Sequence, residues 1–227
     1  MGSAPLRART TLGLHHDGPG VRPMHGAGPD SGERRLVGTA AAFRGFLESL
    51  GLDLTDPNLA ETDHRVARAY GELFSGLKPG AEPRRTTVPN SERYAGIVSV
   101  TDIVFYSICA NHFLPFFGTA HVGYVPGERL AGLSKLARVV DFYARQPQLQ
   151  ERMTEQIAAL LDERLAPVGV ILSIQARRLC IEMRGVSRPG VTTTTTSARG
   201  ILHDEPLQRQ FFTRLRGAGA KYPPEET

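Results

Sequence analysis

The sequence predicts a mixed α+β fold built on an antiparallel sheet. Apolar residues recur first at helical spacing in two segments and then at the two-residue spacing of strands, and the same helix-then-strand order repeats later in the chain. The predicted order is therefore α, α, β, β, α, α, β, β. Strands grouped in pairs around a helix pair favour an antiparallel sheet over the alternating units of a parallel one.

Length and composition are those of one ordinary domain. The chain has 227 residues, 41% hydrophobic and 22% charged, with a net charge of +4. No apolar run approaches the roughly 20 residues of a membrane span, and no cluster of five Lys or Arg favours nucleic acid. The N-terminus lacks the apolar segment of a signal peptide, so we expect a cytoplasmic protein with reduced cysteines. Residues 1–35 are rich in Gly, Pro and Arg, and we predict a disordered leader there.

The segment after this leader is predicted to be helical. A first helix starts near Thr39, carries Phe43 and Leu47 on one face, and stops at Gly51. A second helix covers residues 62–74, and the proline-containing residues 77–95 are predicted to be a loop. We group residues 36–95 as an N-terminal helical region with its loop.

Strands and helices then follow in pairs. Residues rich in β-branched and aromatic side chains predict strands at 97–108 and 119–125, and two helices follow at 134–145 and 148–165, separated by Pro147. A further strand is predicted over residues 168–176 and 179–184, and another over residues 192–196. Residues 96–216 thus form the main domain and 217–227 a flexible tail. A four-stranded sheet with helices on one face leaves open edges and a bare face, so we expect a homo-oligomer.

The two cysteines lie in segments that suit a metal. Cys109 is followed by His112, and Cys180 closes a strand-like run. Three such ligands would leave the fourth position of a tetrahedral zinc open for water, as in catalytic sites. Alternatively, both cysteines are small buried apolar side chains. A lone Cys-x-x-His is a weak signal, so spacing alone leaves both possibilities open.

Two helix starts carry polar residues that could bind a nucleotide. Ser134, Lys135 and Arg138 open one helix and could hold a phosphate, although from these residues alone a solvated basic helix face is the simpler explanation. Glu151 opens the next helix after Gln150. Its carboxylate could accept hydrogen bonds from a base edge, but from these residues alone a favourable interaction with the helix dipole is the simpler explanation.

Several motifs taken together resemble the GTP cyclohydrolase I family over residues 39–215. Residues 132–138, Gly-Leu-Ser-Lys-Leu-Ala-Arg, match the family letter for letter. Residues 109–116 resemble its Cys-Glu-His-His-x-x-Pro-Phe, and residues 148–154 resemble its Gln-Val-Gln-Glu-Arg-Leu-Thr. Arg184-Gly185-Val186 and Thr196-Ser197 also fit.

The resemblance implies a fold, a metal and a reaction. It implies the T-fold, an antiparallel four-stranded sheet with a helix pair preceded by an N-terminal helical hairpin, assembled as a toroidal homodecamer with sites between subunits. The implied reaction is the zinc-dependent conversion of GTP to 7,8-dihydroneopterin triphosphate and formate. The implied residues are Cys109, His112 and Cys180 for zinc, Arg65, Ser134, Lys135, Arg138 and Arg184 for the triphosphate, and Gln150 and Glu151 for guanine.

Two departures from the family concern proton transfer. Asn111 and Arg178 stand where the family has histidines. Histidine exchanges protons near neutral pH, whereas asparagine does not titrate and arginine only donates. We therefore count Asn111 and Arg178, with Ser134, as the candidate catalytic residues.

These departures leave three interpretations open. The protein could be a cyclohydrolase with GTP as substrate. It could instead stop at a ring-opened pyrimidine, or act on a modified purine such as 8-oxo-GTP. A non-catalytic GTP-binding regulatory paralogue belongs to another class, and the three zinc ligands argue against it. A nitrile reductase of the broader T-fold group does not use such a zinc set.

Overall fold

The structure, a computed structural model, describes residues 31–84 and 86–217. The tail beyond residue 217 and the predicted leader up to residue 30 lie outside this range. Helix α1, Ser31–Ser49, begins earlier than the start predicted near Thr39. Residues 34–39 of this helix are exposed, so they carry none of the apolar periodicity that marks a helix in sequence.

Helix α2, Thr62–Leu73, packs against α1, and Arg44 of α1 lies 3.4 Å from the Asp63 carboxylate. A short 3-10 helix, Ser75–Leu77, follows. None of the described helices is long and apolar enough to cross a membrane.

Within residues 31–84 and 86–217, seven strands form two sheets. They are β1 Thr87–Pro89, β2 Val98–Cys109, β3 Pro115–Val125, β4 Arg129–Ala131, β5 Pro147–Gln148, β6 Gly169–Arg178 and β7 Thr192–Gly200. The larger sheet has the order β5-β2-β3-β6-β7, and β1 pairs with β4 in the smaller one. Strands β2, β3, β6 and β7 are antiparallel neighbours, and β5 pairs parallel to β2. The larger sheet thus has five described strands rather than the four predicted. The additional strand is β5, which pairs with the end of β2. Strand β1 lies in the segment predicted to be a loop.

The central helices cover one face of the larger sheet. They are α3, Leu133–Ala144, and α4, Gln150–Leu165. Met153 and Ile157 of α4 are fully buried against Phe105 and Leu172 of the sheet in the main core. Part of the other face is covered by a helix the sequence analysis did not assign, α6 Glu205–Gly217. Its Phe211 is fully buried in a second, smaller core.

Residues 179–184 do not continue the strand as predicted. They begin with a one-turn helix, α5 Leu179–Glu182, and then enter a loop. The pairing of β6 ends at Arg178, opposite Phe116 near the start of β3. No strand partner lies beyond that point among the described residues, so the backbone turns, and the Met183 N–H donates to Leu179 O at 3.0 Å.

Candidate metal centre and its surroundings

The turn between β2 and β3 carries the first two candidate ligands. The Cys109 N–H donates to Leu114 O and the Phe113 N–H donates to Cys109 O, each at 2.9 Å. Phe113 has a φ of 52°, a left-handed conformation that is unusual for a bulky residue. Its ring stacks on Tyr70 and packs edge-on against Phe74. Tyr70 lies in α2 and Phe74 directly follows it, so the C-terminal end of α2 packs against the turn.

Strand register brings two other segments to this turn. Strand β5 places Gln148 beside Cys109, and the Ala110 N–H donates to Gln148 O at 2.8 Å. Helix α4 begins two residues later. On the other side, pairing between β3 and β6 places Arg178 opposite Phe116. One end of the sheet therefore gathers the Cys109 turn, the first turn of α4 and the end of β6.

The three candidate ligands converge there. Ligand atoms of Cys109, His112 and Cys180 all lie within 4.8 Å of one another, and the Cys109 Sγ is 3.7 Å from His112 Nδ1. A tetrahedral zinc with ordinary bond lengths would separate a sulfur and a nitrogen ligand by about 3.6 Å. Cys109 is buried and His112 is exposed, so the centre opens toward solvent. The donor types and spacing fit a zinc ion.

The electrostatics of the thiols also suit a cation. Burial raises the pKa of the Cys180 thiol, and the neighbouring Cys109 raises it further, while the Arg178 guanidinium opposes both effects. Two thiolates at this spacing repel each other unless a cation lies between them.

Arg178 connects this centre to the start of α4. Its Nη2 donates to the Glu151 carboxylate at 2.7 Å, and its Nε donates to Gln150 Oε1 at 3.2 Å. The Arg178 side chain is 18% exposed and that of Glu151 is 60% exposed. Burial alone would raise the pKa of Glu151, but its own backbone N–H and the Arg178 guanidinium hold that pKa below its ordinary value. The carboxylate is thus charged and reachable from solvent.

Gln150 points into the protein. Its side chain is buried, and its amide nitrogen donates to Ile174 O, Thr193 O and Thr195 Oγ1 at 3.0 to 3.2 Å. Gln150 and Glu151 were both expected to bind a base. Of the two, Glu151 has the side chain that is accessible to a ligand.

The expected phosphate-binding residues are distributed over α2, α3 and the loop after α5. The Arg65 guanidinium donates to Asn58 O and Thr62 Oγ1. Ser134, Arg138 and Arg184 are exposed, as is Asn111, and Lys135 is half-buried. Within the described part of the chain, no hydrogen bond or ion pair joins these residues to the cysteine cluster.

An ion pair that the sequence does not reveal flanks Cys180. Arg177 donates from Nε and Nη2 to the two carboxylate oxygens of Glu182, at 2.9 and 2.6 Å. A five-residue separation matches neither helical nor strand spacing, so the sequence held no signal for this contact.

Fold and site define a mixed α+β protein whose Cys–His–Cys centre suits metal-assisted hydrolysis. The sequence model of GTP cyclohydrolase I matches residues 39–216. The chain is 46% identical over 171 residues to the GTP cyclohydrolase 1 of Streptococcus agalactiae serotype V, covering 75% of this chain and 91% of that protein. It is 48% identical over 165 residues to that of Thermobifida fusca, covering 72% of this chain and 79% of that protein. The chain belongs to the GTP cyclohydrolase I family and is a hydrolase of that class.

Proposed function

We propose that the protein is a zinc-dependent hydrolase that opens the imidazole ring of a guanine nucleotide. The observation that carries this proposal is the convergence of Cys109, His112 and Cys180 beside the charged Glu151 carboxylate. The relatives named GTP cyclohydrolase 1 support guanine nucleotides as the substrate class.

In this proposal Cys109, His112 and Cys180 hold zinc, which when bound acts as a Lewis acid and lowers the pKa of water. The chain itself supplies recognition. The exposed Glu151 carboxylate has an oxygen left to accept base N–H groups. The first turn of α3 presents Ser134 and Lys135 to phosphate at a helix N-terminus.

We further propose a T-fold assembled as a homo-oligomer, with sites completed between subunits. Two observations support assembly. Among the described residues, no hydrogen bond or ion pair joins the expected phosphate residues of one chain to its own cysteine cluster. Large apolar side chains are also exposed on the sheet and on the loop after α5, including Val104 at 56%, Tyr106 at 67% and Val186 at 69%. A second subunit would bury such residues. The number of subunits, ten by resemblance, belongs to the same proposal.

A second candidate reaction is favoured by the position of Arg178. Its guanidinium stays charged and only donates, so it cannot take a proton from a reacting group. Asn111 does not titrate either. Hydrolysis could then stop at a ring-opened pyrimidine, or use a purine such as 8-oxo-GTP whose C8 is already oxidised.

Zinc-loaded protein incubated with GTP and, separately, with 8-oxo-GTP tests both candidates, with products identified by mass spectrometry and formate assayed. Cys180→Ala is the control for metal dependence. Formate and dihydroneopterin triphosphate from GTP at a substantial rate would establish the first reaction and eliminate the second. A ring-opened product, or turnover of 8-oxo-GTP alone, would establish the second. Binding without turnover of either nucleotide would refute both and indicate a regulatory protein.

A further inference from the structure

Cys180 lies on a segment with little stability of its own. Helix α5 has four residues, and a single helical turn does not persist in water without outside support. A metal ligand must nevertheless be fixed in place, because metal affinity depends on ligand geometry set before binding. Contacts around α5 must therefore hold the Cys180 thiol toward Cys109 and His112.

The contact that spans Cys180 is the ion pair between Arg177 and Glu182. Both oxygens of the carboxylate accept from the guanidinium, and this two-bond geometry fixes orientation as well as distance. The Glu182 side chain is 7% exposed and that of Arg177 is 38% exposed. The Gly190 backbone N–H also donates to the Glu182 carboxylate. The pair thus ties the end of β6 to the end of α5 and to the loop beyond it.

Arg177 packs against β3, one of the two strands joined by the turn that carries Cys109 and His112. Its guanidinium carbon lies 5.8 Å from the centroid of the Phe117 ring, within the range of a cation–π contact. Phe117 of β3 stacks on Tyr106 of β2, with ring centroids 6.0 Å apart. The turn between β2 and β3 carries Cys109 and His112. Strands β2 and β3 therefore link Arg177, which lies near Cys180, to the turn that carries Cys109 and His112.

The loop after α5 folds back onto the same turn. The Ser187 hydroxyl lies 3.4 Å from Glu182 O, and the Arg188 N–H donates to Ile181 O at 3.2 Å. This loop includes Arg184, one of the proposed phosphate residues. A shift of Glu182 would move the loop together with the thiol.

We propose that the Arg177–Glu182 ion pair is a positioning clamp that fixes the Cys180 thiol for metal binding. This inference rests on the metal set in the proposed function. Glu182 is neither a candidate metal ligand nor one of the proposed nucleotide-binding residues, and it acts through the turn that holds Cys180. If the pair only stabilised the fold, its loss would lower the melting temperature without selectively weakening the metal.

The test compares Glu182→Gln with Glu205→Gln. The second variant removes the same charge from the exposed Arg209–Glu205 pair on α6. Zinc affinity is measured by competition with a chromophoric chelator, and the cobalt-substituted protein is examined for its thiolate-to-metal absorption band. We expect Glu182→Gln to weaken zinc about 10- to 100-fold, as for other residues that orient metal ligands. Its cobalt band should shift or lose intensity, whereas Glu205→Gln should match the unmodified protein in both measurements.

Arg177→Lys separates geometry from charge. Lysine keeps the positive charge but lacks the planar fork, so zinc affinity should fall between that of Glu182→Gln and that of the unmodified protein. This variant also serves if Glu182→Gln does not fold, because Arg177 is the more exposed partner. Unchanged zinc affinity and an unchanged cobalt band in a folded variant would overturn the clamp. Equal zinc binding by the unmodified protein and by Cys180→Ala would instead refute the metal set.

Discussion

The Arg178 guanidinium donates to the Glu151 carboxylate at 2.7 Å, and this pair links the candidate metal centre to the first turn of α4. Arg178 is two residues from Cys180 in sequence, and its charge opposes the raised pKa of that thiol. A base that binds to Glu151 must share the carboxylate with Arg178. The guanidinium therefore orients the carboxylate and also uses part of its capacity to accept hydrogen bonds.

We expect Glu151→Gln to weaken guanine nucleotide binding. Loss of a charge-assisted hydrogen bond costs about 1.5–3 kcal/mol, which corresponds to a Kd about 10- to 150-fold higher. Titration calorimetry with GTP on zinc-loaded protein measures the change. The matched control is Glu155→Gln, because Glu155 lies on the same helix, is 61% exposed and pairs with Arg199. Zinc content should be unchanged in both variants. Equal GTP affinity in all three proteins would remove Glu151 from base recognition.

Asn111 and Arg178 stand where the family has histidines, and replacing both by histidine should restore proton transfer. The double variant Asn111→His/Arg178→His places a titratable side chain next to His112 in sequence and another two residues before Cys180. General acid–base catalysis contributes about 10²- to 10⁴-fold to rate, so formation of dihydroneopterin triphosphate from GTP should rise at least tenfold. Product analysis by mass spectrometry provides the measurement, with Arg209→His on the surface of α6 as control. No gain in the double variant would show that these positions do not limit the reaction.

The long elements could be predicted from sequence because each had a local signal. Strands β2, β3 and β6 are rich in β-branched and apolar residues, and α4 has a continuous apolar face. The ligand set was indicated only when neighbouring motifs supplied a resemblance. Spacing alone could not relate Cys109 to Cys180, which strand pairing brings together across 180 − 109 = 71 residues.

The elements that could not be predicted depend on tertiary contacts. Helix α5 replaces a predicted strand because β6 has no neighbour beyond Arg178, and a sequence does not reveal where a neighbour ends. Strand β5 is two residues long and exists only by pairing with β2. The buried position of Gln150 follows from its bonds to β6 and β7, which no local pattern encodes.

Zinc binding should protect both cysteines from a thiol reagent. Cys109 and Cys180 are the chain's two cysteines, and both belong to the proposed metal set. Zinc-loaded native protein should react slowly with a disulfide reagent, and addition of a chelator should release two reactive thiols per chain. Cys180→Ala should lose zinc and leave one reactive thiol. Two histidine variants serve as controls. His112→Ala should lose zinc, whereas His203→Ala, which changes an exposed histidine outside the proposed metal set, should keep it. Full zinc content in Cys180→Ala would contradict the assignment.

Phe211→Ala should detach α6 from the sheet. Phe211 is fully buried, and a Cβ placed on Gly123 would lie 2.7 Å from its ring, so the strand and the ring are in close contact. Removal of a buried Phe side chain costs about 3–5 kcal/mol. Urea denaturation monitored by circular dichroism gives the free energy of unfolding. The neighbouring Phe212 is partly buried, so Phe212→Ala should cost less. Equal losses in the two variants would contradict the packing of α6.

His121 should make the metal-free protein less stable in mild acid. This histidine is buried on β3, and its Nδ1 accepts from the Asp102 backbone N–H at 3.1 Å, so the neutral ring fits the site. Burial lowers the pKa of His121, although the nearby Asp102 carboxylate partly offsets this effect. The unfolded chain, with an ordinary histidine pKa of about 6.5, therefore binds the proton before the folded chain does. Stability should fall as pH drops from about 6.5 toward the lower pKa of the folded state, and should not change from this cause above that range.

The variant His121→Asn tests this origin, because its side-chain oxygen can still accept from the Asp102 N–H but does not titrate. Urea midpoints between pH 7.5 and 5.5, measured with a chelator present to exclude pH-dependent metal binding, should decline less steeply for His121→Asn than for the unmodified protein. His203→Asn, which changes an exposed histidine, should keep the original decline. An identical decline in all three proteins would assign the acid sensitivity to other groups.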